Sequence, residues 1–211
     1  EGVRPPQVDA HGDQYLLRMA ELYALYQLTC ERSGLVDFGE LLLRSLELLR
    51  DNPPLLKHYR ERFGHILVDE FQDTNRLQYA WLKLLAGPDG HVTAVGDDDQ
   101  SIYGWRGARV ENIVRFSEEL PNTHVVRLER NYRSTNVILE AANALIRNNT
   151  GRMGKELWTD IHGGEKISVY AGFNDLDEAR YIVDTLKKLI KEHDYKRSDI
   201  AILYRSNAQS R

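Results

Sequence analysis

Apolar residues recur along this chain with two different periods, and the switch between them marks its elements. From about Asp13 to Arg32, Leu16, Met19, Ala20, Tyr23 and Gln27 fall at helical spacing, and the run stops at Gly34. A second helix is expected from Asp37, whose side chain can cap it, with Glu40 three residues on as a box-like partner. Leu41, Leu42, Leu46 and Leu49 make its apolar face, ordinary core packing, and Asn52-Pro53-Pro54 ends it. A short helix over 55–63 then leads into Ile66-Leu67-Val68, an unbroken apolar run of the kind found in a strand buried on both faces of a parallel sheet. After Asp73-Thr74-Asn75, a helix runs to about Ala86 with Leu77, Trp81, Leu84 and Leu85 inward, and His91 to Val95 forms a second short strand. Strand, helix and strand at this spacing predict a parallel βαβ unit, and hence an α/β fold.

Further along, a helix is expected over 110–120 and a domain boundary near Pro121-Asn122-Thr123. A strand over 124–128 and an amphipathic helix over 136–148, burying Ile138, Leu139, Ala142, Leu145 and Ile146, come next. Another α/β segment is expected from a strand at 167–171, a helix at 176–190 and a strand at 200–204. The last residues, from Arg205, have the character of a helix cut short, and Glu1 in place of Met suggests a piece of something longer. There are no internal repeats and no low-complexity stretches.

Bulk composition narrows the classes. With 42% hydrophobic and 28% charged residues over 211 positions, the chain is globular and long enough to bury a core. A net charge of −4 gives no global basic field, so any nucleic-acid contact must come from a local patch or from stacking side chains. The single cysteine, Cys30, excludes an internal disulfide framework and fits a reducing, cytoplasmic setting; it is expected as a small buried side chain rather than a nucleophile. No apolar run reaches membrane-spanning length and no signal peptide opens the chain.

Candidate chemistry sits where both strands stop. The first ends in Asp69-Glu70, at the carboxyl end where α/β sheets present ligand-binding groups. In ATPases such a pair has a use: one acid holds Mg²⁺ and a neighbour orients and deprotonates the attacking water. Solvated acids at a strand end are the plain alternative. The second strand ends in Gly96-Asp97-Asp98-Asp99-Gln100, so two neighbouring strands deliver polar groups to one edge. The Asp97–Asp99 run carries no assigned role and is compatible with a solvated acidic loop. Beyond it, Tyr103, Trp105 and Arg106 lie on a glycine-interrupted loop, where Trp105 either anchors the loop to the core or serves with Tyr103 as a stacking platform for bases.

These blocks resemble, in order, the motifs of superfamily 1 helicases of the UvrD/Rep/PcrA type. Leu67-Val68-Asp69-Glu70-Phe71-Gln72-Asp73-Thr74 resembles motif II, and Val95 through Ala108, with Gly96-Asp97-Asp98-Asp99-Gln100 and Tyr103-Gly104-Trp105-Arg106-Gly107, resembles motif III. Leu128-Glu129-Arg130-Asn131-Tyr132-Arg133-Ser134 resembles motif IV, and Ile202 through Arg211 motif IVa. Val36-Asp37-Phe38-Gly39-Glu40-Leu41-Leu42 resembles the short block before motif II, so the likeness covers essentially the whole chain.

The resemblance implies parts of two RecA-like P-loop NTPase motor domains. Residues 1–35 would end a helical insertion (1B-like), 36–122 would be the second half of the first motor (1A-like), and 123–211 the first half of the second (2A-like). It implies ATP and Mg²⁺ as cofactors, with Asp69 and Glu70 at the metal and Glu70 as the base. Gln100 would contact the γ-phosphate, Arg133 would be the arginine finger and Tyr132 would stack on adenine. Tyr132-Arg133 taken alone reads first as a buried tyrosine beside a surface arginine. Single-stranded DNA would meet Tyr103 and Trp105 through its bases and Arg106, Arg205 and Asn207 through its backbone. Partners implied are single strands, single-strand/duplex junctions and DNA-repair proteins, in the cytoplasm at the nucleoid, with no membrane.

One departure matters. No Gly-x-x-x-x-Gly-Lys-Ser/Thr occurs, so the phosphate-cradling loop and its lysine are missing, as are the last two motifs. The expectation is the middle of an ATP-dependent 3′→5′ repair helicase, inactive by itself. A non-catalytic module binding single-stranded DNA or a repair partner is the rival. A metal-dependent nuclease on Asp69, Glu70 and Asp73 is a weaker one, for want of further acids and histidines.

Overall fold

A computed structural model of the chain describes residues 2–120 and 122–210, with only the backbone of Ser210. Glu1, Pro121 of the expected boundary and Arg211 of the last motif lie outside the described residues.

Each early helix begins where a short polar side chain can take up its first free N–H groups. Asp13 accepts from the N–H groups of Tyr15 and Leu16 at the head of α1 (Gln14–Arg32). Asp37 accepts from the N–H of Glu40 at the head of α2 (Phe38–Asp51), and Asn52 from that of Leu55 ahead of α3 (Pro53–Arg62). Glu40 does not close the expected box, because its carboxylate is held by Arg4 at 2.7 Å and Arg44 at 2.5 Å, charged donors that outcompete a backbone N–H. Cys30 is free and half-buried, not buried.

Two strands, β1 (His65–Val68) and β2 (His91–Ala94), pair in parallel with His65 opposite His91 and Val68 opposite Ala94. The connection is α4 (Arg76–Ala86), opened by a reciprocal Asn75/Gln78 capping box. Phe71, Tyr79 and Leu82 form the core beneath them, with Ile66, Val68, Val92, Ala94, Ile113 and Phe116 against it. Leu67, pointing the other way, is 79% exposed, so β1 buries one face where the apolar run predicts two. On α4 the fully buried positions are Tyr79, Leu82, Leu85 and Ala86, while Leu77, Trp81 and Leu84 are half-buried. The helix is turned this way because Phe71 and α5 (Glu111–Glu119) lie against Tyr79 and Leu82, with Phe116 edge-on to Phe71 at 5.2 Å. α2 likewise buries Leu43 and Leu49 and leaves Leu41 exposed.

α6 (Asn136–Ile146) buries Leu139 only, and α7 (Asp175–Glu192) starts at Asn174, whose side chain accepts from the N–H of Asp177. The strands expected at 124–128, 167–171 and 200–204 are not formed among the described residues. These stretches are apolar and extended in pattern, but a strand exists only when a second backbone supplies its hydrogen bonds, and none is paired to them here. Among the described residues, the α/β character therefore rests on helices together with one two-stranded parallel sheet. The described residues form two compact units, one from residues up to Arg130 with Ala142–Leu157, the other from Asn131–Ala141 with Trp158 onward. No described helix is long and apolar enough to cross a membrane.

Candidate active site

The site begins where β1 stops. Asp69 is exposed, and its Oδ1 accepts the N–H of Glu70 at 2.9 Å. Glu70 has φ 49° and ψ 44°, a left-handed backbone that costs a non-glycine residue about 1–2 kcal/mol. Its two C-terminal neighbours hold it there. Phe71, 2% exposed, is locked into the core and donates its N–H to the carbonyl of Val95 at 2.9 Å. Gln72 is 1% exposed and spans the two strand ends. Its Nε2 donates to Oε2 of Glu70 at 2.7 Å and its Oε1 accepts from the N–H of Asp97 at 2.9 Å.

β2 brings up the other side. The N–H of Val95 donates to the carbonyl of Val68 at 2.8 Å, which keeps the two carboxyl ends side by side. Gly96 lies so close that a Cβ there would sit 2.9 Å from Oε1 of Gln72. Oδ2 of Asp97 then accepts from Nε2 of Gln100 at 2.7 Å. Glu70, Gln72, Asp97 and Gln100 thus form one hydrogen-bonded chain across the sheet edge, with Asp69 at its start.

The acidic run is not a solvated loop. Arg152 grips Asp99 with two bonds of 2.8 and 2.5 Å, the N–H of Met153 donates to Asp98 at 2.7 Å, and Lys155 bonds Asp97 while its Nζ stands 3.7 Å from Asp99. The three carboxylates lie within 4.8 Å of one another, and Arg152 and Lys155 offset two of their three charges. Burial alone would push the Asp97 carboxyl up; the bonds from Lys155 and Gln100 outweigh it and leave it below the usual carboxylate range.

Past Gln100 the chain makes a turn at Gly104–Arg106, closed by Gly107 at φ 86°. Trp105 is 74% exposed and so does not anchor the loop; Tyr103 is half-buried, with its ring 6.3 Å from that of Trp105. The Arg106 guanidinium carbon lies 4.9 Å from the Tyr103 ring centre and 4.6 Å from that of Trp105, a cation on two aromatic faces. The anchoring falls to backbone and an amide. Ala108 bridges to Asn75, the N–H of Arg109 donates to the carbonyl of Thr74 at 3.0 Å, and Asn112, 1% exposed, donates to that carbonyl and to Oγ1 of Thr74 at 3.0 and 3.1 Å.

Tyr132, Arg133, Arg205 and Asn207 belong to the second unit and are exposed. Oδ1 of Asn131 accepts from the N–H groups of Arg133 and Ser134 at 2.9 and 2.8 Å, which fixes the backbone carrying Tyr132 and Arg133. Oε1 of Gln209 does the same for the N–H groups of Arg205 and Ser206, at 3.0 and 2.9 Å. Sequence reasoning passed over Gln72, Asn112, Arg152 and Lys155. An amide set among acids, able to donate and accept at once, was the available signal for Gln72. Nothing in the sequence links Lys155 to Asp97.

The UvrD/REP helicase N-terminal domain family matches residues 1–121, and the UvrD-like helicase C-terminal domain family matches residues 126–211. The chain belongs to the UvrD/REP helicase family. It is 58% identical over all 211 residues to DNA helicase II of Escherichia coli K12, of which it spans 29%. Against DNA helicase II of Haemophilus influenzae Rd the identity is 51%, again across the full chain and 29% of the relative. An ATP-dependent DNA helicase PcrA of Leuconostoc citreum is 45% identical over 193 residues, 92% of this chain and 26% of that protein. This helicase-family chain therefore covers under a third of these curated relatives. Its Arg152–Lys155 segment falls in the C-terminal match, yet lies with the first compact unit.

Proposed function

We propose that the chain is the central part of an ATP-dependent 3′→5′ DNA helicase that couples ATP hydrolysis to movement along single-stranded DNA and to unwinding in repair. The observation that carries this is the strand-edge chain from Glu70 through Gln72 and Asp97 to Gln100. The relatives named as DNA helicases and the two family matches support it. In this reading 1–35 is 1B-like, 36–122 is 1A-like and 123–211 is 2A-like, the latter two being parts of RecA-like motor domains.

The donor set fits Mg²⁺. Asp69 offers an exposed carboxylate with one oxygen uncommitted to the Glu70 N–H, and Mg²⁺ takes one or two carboxylates while keeping waters and substrate phosphates. Asp69, with Glu70 beside it, would hold the ion. When bound, Mg²⁺ would neutralise charge on the β- and γ-phosphate oxygens. Glu70 accepts the proton of the attacking water through the carboxylate oxygen that Gln72 leaves unbonded. Gln100 contacts the γ-phosphate, and Arg133 supplies a cation against the charge developing there, a role that can be worth roughly 10³–10⁵ in rate. Tyr132 stacks on the adenine. Tyr103 and Trp105 stack on DNA bases, and Arg106, Arg205 and Asn207 follow the backbone.

Changing Glu70 to Gln in the whole helicase keeps size and hydrogen bonding but removes the base. Hydrolysis should fall about 10²–10⁴-fold while nucleotide binding survives. Near-normal DNA-stimulated turnover would rule the assignment out. The 211-residue chain alone has no phosphate-loop lysine to complete the site, and groups of this kind act as a unit. It should release no phosphate from ATP with or without a single-stranded oligonucleotide; release that disappears in Glu70→Gln would refute this.

A further inference from the structure

We infer that Gln72 is a positioning residue that sets the orientation of Glu70 and ties it to Gln100. This rests on Glu70 being the base, and it adds how the base is held.

Gln72 is almost wholly removed from solvent, and each end of its amide is bonded to a different strand end. The direction of the amide is dictated. The Asp97 N–H can only donate, so it takes Oε1, and Nε2 must then face Oε2 of Glu70. Only a side chain that accepts at one oxygen and donates at one nitrogen satisfies both neighbours. The partner is also neutral: a lysine or arginine would hold Glu70 equally well but would stabilise its charged form and weaken it as a base. Glu70 is left with Oε2 committed and Oε1 directed by that commitment. The other end of the link continues into chemistry. Asp97 holds Gln100 through Oδ2 and is itself gripped by Lys155, so a shift of the Gln100 side chain reaches Glu70 through three hydrogen bonds. Gly96 keeps the space for this, since a Cβ there would press on Oε1 of Gln72.

The test uses the full-length helicase with single-stranded DNA present. Gln72→Met keeps volume and loses both bonds. Gln72→Leu also loses both bonds, in a branched apolar shape of similar volume. Both should lower kcat about 10²-fold, the scale of a misplaced catalytic group, with KM for ATP and nucleotide affinity unchanged. Adding Gln100→Ala to Gln72→Met should cost little beyond the worse single change, because the groups act through one another. A lower melting temperature with unchanged kcat per folded molecule would make Gln72 merely structural and overturn the inference, as would losses that multiply in the double variant. Should Gln72→Met fail to fold, Gln72→Leu decides, and full kcat there overturns the inference. Glu70→Gln assayed in parallel separates the two claims. Turnover surviving in it sinks the base and the inference together, whereas an inactive Glu70→Gln beside a fully active Gln72→Leu sinks the inference alone.

Discussion

Replacing Lys155 with Met removes the cation from the acidic run while keeping most of its stem. Lys155 bonds Asp97, stands 3.7 Å from Asp99, and has 17% side-chain exposure against 24% and 13% for its partners. Removing one member of a fully buried pair costs about 3–5 kcal/mol; with this residual exposure about 2–3 kcal/mol is expected. For a chain of this length that lowers Tm by about 4–12 °C, read by thermal melting of the purified chain at pH 7. The sign with pH comes from Asp97, whose carboxyl is held below its usual value by Lys155 and Gln100 against the opposing effect of burial. Its contribution is fully present above the ordinary carboxylate value and is lost as pH falls through its lowered one. The gap between parent and variant should therefore be full at pH 7 and close below about pH 4. An unchanged Tm at pH 7 would show that the acids are solvated, and a gap of the same size at pH 3 that Lys155 acts without the Asp97 charge; either overturns the reasoning.

Gly96→Ala places a methyl 2.9 Å from Oε1 of Gln72 and 3.3 Å from Cβ of Phe71, and should destabilise by about 1–3 kcal/mol in a denaturant titration. Asn112→Ala deletes two bonds to Thr74 from a 1% exposed position; at about 1 kcal/mol each plus the space left behind, a loss of about 2–3 kcal/mol is expected, with faster hydrogen exchange at Arg109. Trp105→Ala in the whole helicase should barely move Tm, since the ring is 74% exposed, while weakening single-strand affinity by about 1–3 kcal/mol in a binding titration. A large Tm loss with unchanged affinity would restore Trp105 as a structural residue.

Local chemistry was legible and distant pairing was not. The cap at Asp37 was legible because a short polar side chain satisfies an N–H two or three residues on, a rule internal to the sequence; Asp13 and Asn174 obey the same rule and were passed over. β1 and β2 were legible for a similar reason, since one helix and two short turns bring them together. The stretches at 124–128, 167–171 and 200–204 show the limit: composition says which residues suit a pleated surface, and pairing depends on another backbone. Asp69, Glu70 and Gln100 share an edge as the parallel unit requires. The clasp on the acidic run was invisible because Arg152 and Lys155 come 53 and 58 residues after their partners, across stretches that give no register.

The left-handed Glu70 and the buried Gln72 account for each other. Had β1 continued straight, residues 69–71 would run on beside Gly96 and Asp97, and no side chain could pass beneath the edge. Turning the backbone at Glu70 sends Phe71 into the core and Gln72 under both strand ends. Burying Phe71 contributes about 1.5–3 kcal/mol and the two Gln72 bonds about 1 kcal/mol each, enough to offset the roughly 1–2 kcal/mol of the left-handed residue. Glycine at 70 would make the same turn without that strain and would carry no carboxylate. The backbone therefore tolerates at Glu70 a conformation shared by only three other described non-glycine residues, His11, Asn122 and Asp194, and there it turns outward from the end of the sheet a carboxylate held by a neutral amide.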